Sequence, residues 1–199
     1  ASLAVFALLG VLLKPYFAAI PLTVSIYEAI AVRSFKPIFK LENWIILLGC
    51  FAYILFVRLV HPEYFSFLLP IAVTVYGSYG LPPEIVFSVL PVVMILLPLV
   101  HVGLNLLDGK SDNVTSVLAA AALGGVIGYY LQFTGYRYQS FPFYVFVFLF
   151  FAFCFVSSTN RTTIRGFALL GLLASLYYGP SPTRYQNVFA QDIGKALGV

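Results

Sequence analysis

Charge-free apolar runs dominate this chain: no Asp, Glu, Lys or Arg occurs from Asn43 to Val57, from Ile85 to Leu107, from Val114 to Tyr136 or from Tyr138 to Asn160. A soluble domain carries about a quarter charged residues, whereas here 9% are charged and 61% hydrophobic, with a mean hydropathy of +0.98. The 11 Lys and Arg and 7 Asp and Glu are too few to clothe a 199-residue soluble domain, so most of the surface is expected to face lipid. Long runs, rather than roughly ten-residue stretches of alternating polarity, exclude a β-barrel. The expected class is all-α: a polytopic transmembrane helical bundle with short or broken helices and one re-entrant or interfacial helix.

Breaks between the runs have local causes. Pro15 removes a backbone donor and pushes Lys14 out of helical geometry, so spans 1–13 and 16–32 are read as two short helices meeting at a turn. Arg33, Lys36 and Lys40 make the most basic loop, closed by Glu42, and a span over 43–60 follows with Trp44 at its first turn, where an interface suits it. Arg58 near the far end can snorkel outward, ahead of the polar turn His61-Pro62-Glu63. The stretch 64–79 contains Pro70 and is too short to cross comfortably, so it is read as re-entrant or interfacial. A span over 85–107, bent by Pro91 and Pro98, leads to the polar turn Asp108–Asp112. Spans 114–131, 141–156 and 164–178 complete the membrane domain, and 179–199 is a polar tail. The small residues of 114–131, among them Ala119, Gly124 and Gly128, suit close helix packing.

Charge placement orients this scheme. If 64–79 does not cross, Arg33, Lys36, Lys40, Lys110, Arg161 and Arg165 share one side, the cytoplasmic one by the positive-inside rule. Lys14, Arg58, His61, Glu63, Glu84, Gln132 and Tyr136 to Gln139 then gather on the external side.

No phosphate-binding glycine loop, nucleophile elbow or metal-spaced Cys/His cluster occurs, and nothing points to nucleic acid. Cys50 and Cys154 lie within apolar runs and read as packing residues. His101, inside a span, reads as a hydrogen-bonded packing histidine, with intramembrane function as its alternative. His61 and Glu63 are too small a set for a metal site. Ala1 opens the chain without a methionine or a basic stretch, which reads as an internal or C-terminal fragment.

The run Leu12-Leu13-Lys14-Pro15, then Ile20-Pro21-Leu22 in an apolar helix, then Arg33 and further basic residues, resembles the helix pair of polytopic, lipid-carrier-dependent glycosyltransferases of the GT-C superfamily. The stretch from Gln132 to Tyr138 is similar to the external loop before a late span in bacterial members. The resemblance implies a bacterial inner-membrane enzyme that moves a hexosyl or pentosyl group, with inversion, from a polyprenyl-phosphate donor on the external or periplasmic face. No cofactor is indicated, with a divalent cation left open; the implied partners are membrane lipid and the lipid-linked donor.

Such a donor presents a phosphate at the external interface. Lys14, Arg58 and Arg137 are the cations available to it, with Gln132, Tyr136 and Tyr138 beside Arg137 as further substrate-binding candidates. For the cations the competing reading is interfacial snorkelling, and for the Tyr-Arg-Tyr run an aromatic belt. The family's catalytic acid is expected in a first external loop, ahead of this chain, which leaves Glu63 as the candidate general base here. The rival classes are a transporter or flippase subunit, expected to show internal repeats and midplane charges, and a non-enzymatic assembly subunit built on the small-residue stripe.

Overall fold

A computed structural model describes residues 2–78, 83–88, 90–107, 114–133, 137–157 and 162–178. They form helices and turns, with no strand among the described residues. Helix α1 (Ser2–Leu13) stops at Lys14, whose backbone is extended (φ −147°, ψ 100°) ahead of Pro15. The chain restarts as a 3-10 turn, Pro15–Ala18, which runs into α2 (Ala19–Ala31).

Helix α2 ends on an arginine in left-handed geometry. Arg33 has φ 51°; its amide donates to the Ile30 carbonyl at 3.1 Å, and the Ser34 amide donates to the Ala29 carbonyl at 3.0 Å. These two bonds close a helix at a position usually held by glycine. A second 3-10 turn, Lys36–Phe39, leads into α3 (Leu41–Val60). Asn43 pins this reversal: its Nδ2 donates to Ser25 Oγ at 2.9 Å and to the carbonyls of Pro37 and Ile38 at 3.2 and 3.0 Å. Lys40 Nζ meets Glu28 Oε2 at 2.7 Å beside it.

After α3 come a π-helical turn, Tyr64–Leu68, and α4 (Leu69–Ser78), then α5 (Pro83–Ser88), α6 (Val92–Leu107) and α7 (Val114–Gln132). A 3-10 turn, Arg137–Ser140, precedes α8 (Phe141–Ser157), and α9 (Thr162–Tyr178) is last. The expected single bent helix over 85–107 is two helices instead. Leu90 lies in a bend and Pro91 outside any helix, because proline disfavours helical geometry in the residue before it. Pro98, by contrast, is accommodated within α6. The turn Asp108–Asp112 and the tail 179–199 lie outside the described residues.

Helix α7 is the centre, packed against α2, α6 and α8, with α9 behind α8 and the pair α1–α3 beside them. Glycine makes the close approaches. A Cβ at Gly124 would fall 2.6 Å from the Ile20 Cα, one at Gly128 2.9 Å from the Tyr16 carbonyl oxygen, and one at Gly125 2.8 Å from the Phe143 Cα. The first two contacts run in opposite chain directions, so α2 and α7 are antiparallel. The main apolar core lies between α5, α6, α7 and α8: Val86, Leu90, Met94, Ala119, Ala122, Tyr129, Phe143, Val147 and Phe150 are buried there. Helices α3 and α7 are each long and apolar enough to cross a membrane. They differ in surroundings: α7 is largely enclosed, whereas α3 has no buried residue.

These contacts define two ends. One holds the Lys14 turn and the C-terminus of α7; the other holds Arg33, Lys36 and Lys40. Leu8 of α1 packs on Gly49 of α3, so α3 rises toward the Lys14 end. Its C-terminus delivers His61 and Glu63 to that end. Helix α5 is there too, since the Tyr129 hydroxyl donates to the Val86 carbonyl at 3.1 Å. The segment from Tyr64 to Ser78 lies between α3 and α5 in the chain, and the C-terminus of α3 and helix α5 are both at this end.

Candidate functional site

The Lys14 end is assembled on the last turns of α7. The 3-10 turn that follows Lys14 packs on α7, and so does the turn Arg137–Ser140. Tyr129 ties α5 to the same turns, and the rings of Phe87, Tyr130 and Phe133 pack around them. Phe87 stands 5.5 Å from Tyr130 and 5.9 Å from Phe133, centroid to centroid. Phe133 closes α7 in left-handed geometry, φ 47°. This end is thus an aromatic platform carrying polar groups at its rim.

Lys14 is half-buried, with its ammonium 5.8 Å from the centroid of the Phe17 ring. Partial burial lowers its pKa from the ordinary 10.5, because desolvation disfavours the charged form. Gln132 stands at the end of α7, but its Nε2 is turned back to donate to the Gly128 carbonyl at 3.0 Å. Arg137 and Tyr138 enter the site through their backbone, in a turn whose next two residues, Gln139 and Ser140, are buried. The side chains of Arg137 and Tyr138, and all of Tyr136, lie outside the described residues. Glu84 belongs to α5 by its backbone, and its side chain is likewise outside them.

Arg58 stands on the last turns of α3 and Glu63 just beyond its end. Lys14 lies six residues past Leu8 and Arg58 nine past Gly49, so the two cations differ in height by roughly 4–5 Å at a rise of ~1.5 Å per residue. The layer of α1 and α3 carries Arg58, whereas the Gln132 and Arg137 segments belong to α7 and its neighbours. His61 Nδ1 approaches Glu63 Oε1 at 3.6 Å, and both residues are exposed. Among the described residues no group of three or more His, Cys, Asp or Glu converges as a metal site.

A second polar cluster lies away from this end. Asn105 Nδ2 donates to His101 Nε2 at 3.0 Å and to the His101 carbonyl at 2.9 Å, and Ser116 Oγ stands 3.3 Å from the same ring nitrogen. Phe150 packs edge-on to the imidazole. With Nε2 accepting from Asn105, the imidazole carries its proton on Nδ1. This cluster borders a cavity of about 250 Å³ lined by Leu97, Val100, Leu104, Cys154 and Phe167.

Sequence reasoning singled out His101 without Asn105 or Ser116. The one-turn spacing of Asn105 from His101 is a usable signal, whereas Ser116 arrives from another helix and leaves none. Tyr129 was equally hidden, because a tyrosine in an apolar run does not advertise a buried hydroxyl. No protein-family model, no curated protein and no solved structure matches the chain.

Proposed function

We propose that this chain is part of an integral glycosyltransferase of a bacterial inner membrane, one that takes its sugar from a polyprenyl-phosphate carrier at the external face. The observation that carries the reading is the packing of the Lys14 and Arg137 turns on one end of α7. A phosphate held there meets an ammonium and the segment bearing a guanidinium, both able to stabilise the departing lipid phosphate. Transfer breaks the bond between the anomeric carbon and the carrier phosphate and forms one to an acceptor hydroxyl. Glu63 is the described carboxylate at this end and the candidate base for that hydroxyl.

The membrane placement is supported by α3. Leu47, Leu48, Phe51, Ile54, Phe56 and Leu59 are all exposed along it, an apolar surface far longer than a soluble monomer leaves to water. In a bilayer the same side chains face acyl chains. The positive-inside rule then assigns the Arg33 end to the cytoplasm, and Tyr64 to Ser78 stays at the external interface without crossing. Gly124, Gly125 and Gly128, which would have suited an assembly subunit, are occupied by this chain's own helices.

The test is binding of polyprenyl phosphate, with the corresponding polyprenol as control, to the chain in lipid nanodiscs. The phosphate should bind at least about tenfold more tightly than the alcohol, and Lys14→Gln should remove most of that difference, as expected for a lost charge-assisted bond. Equal binding of alcohol and phosphate would overturn the proposal.

A further inference from the structure

We infer that the turn from Arg33 to Trp44 is a docking site for anionic phospholipid headgroups. The inference rests on the membrane placement above and concerns the end of the bundle opposite the proposed donor site. Of the three cations in this turn, Lys40 is neutralised by Glu28 at 2.7 Å. Glu42 lies in the first turn of α3, where a carboxylate complements the helix dipole. Arg33 and Lys36 are exposed, and neither side chain has a partner among the described residues.

Two further observations select a lipid as the occupant. Phe35 and Phe39 are 76% and 64% exposed, and Phe39 stands 6.5 Å from the ring of Trp44, itself 43% exposed. Aromatic rings beside unpaired cations match the boundary between acyl chains and headgroups, which a soluble anion would not require. The turn is also rigid. Asn43 bonds both carbonyls at its base, and Arg33 occupies a left-handed position where glycine is less strained, so a planar cation is held outward at a conformational cost. A guanidinium and an ammonium three residues apart present a fork and a point charge to one phosphodiester.

Trp44 is the only tryptophan in the chain, so its fluorescence reports on this turn alone. The full chain is reconstituted in vesicles of mixed phosphatidylglycerol and phosphatidylcholine, with either lipid brominated in turn. Brominated phosphatidylglycerol should quench Trp44 more strongly at equal mole fraction, with a preference of about fivefold for each cation. The double variant Arg33→Gly, Lys36→Gln keeps the left-handed turn and should lose the preference; Arg58→Gln should keep it. Equal quenching by both lipids, or a preference that survives the double variant, would overturn the inference while leaving the membrane placement intact. Quenching by neither lipid would overturn both.

Discussion

Lys14 and Gly124 show how single residues decide this molecule. Lys14 is kept out of the helix by Pro15 and is partly desolvated, so its folded-state pKa lies below 10.5. Between that lowered value and 10.5 the unfolded chain binds more protons than the folded one, and stability attributable to Lys14 rises with pH through that window. Phosphate binding has the opposite dependence, since it needs the ammonium. Titration of polyprenyl-phosphate affinity should show a loss that begins below the ordinary lysine range, and Lys14→Arg should move the loss out of reach. At Gly124 a methyl group meets backbone rather than a pliable side chain, so Gly124→Ala should cost about 1–3 kcal/mol in thermal unfolding in detergent. Gly103 has nothing within 4 Å of an added Cβ, and Gly103→Ala should be neutral or stabilising by up to ~1 kcal/mol. The helix break at Lys14 is legible from Pro15 alone. The difference between these two glycines is not, because it depends on which helix lies opposite.

At the scale of elements, reversals are held by polar groups and helices by apolar contact. Asn43 donates to two carbonyls of the turn before α3; Asn43→Leu would leave the Pro37 carbonyl the Lys40 amide at 3.4 Å but would take from the Ile38 carbonyl its side-chain donor, at a cost of about 1–3 kcal/mol. Faster hydrogen exchange across residues 36–44 is the expected signature, with α7 unchanged. The sequence shows this turn as a cluster of basic residues closed by Glu42, but the three bonds from one amide depend on how α2 and α3 face each other. Likewise Pro91 marks a break in any reading, whereas the seat of α5 on α7, where Tyr129 donates to the Val86 carbonyl, is set by another helix. The runs that became α7, α8 and α9 were plain because their apolar length leaves few alternatives.

At the scale of the whole molecule, the contacts give the bundle two chemically different ends. Single cysteines at positions 14, 63 and 137, in a chain lacking Cys50 and Cys154, should react with an impermeant reagent applied outside intact cells, and cysteines at 36 and 110 should not. Reaction at 36 together with 14 would contradict opposite ends. The breaks that carry the cations were legible in the sequence, but the grouping at the Lys14 end was not: Arg58 stands on α3 and Glu63 just beyond it, whereas the turn after Lys14 and the Arg137 turn both pack on α7. That arrangement also has a consequence in time. Helix α2 finds its glycine seat only on α7, about a hundred residues later in the chain, so a ribosome that has finished the first three helices has not yet made the surface on which α2 packs most closely. Until α7 is threaded in beside them, the early helices have only one another and the Asn43 clasp, and the aromatic platform at the Lys14 end cannot exist before α7 is made.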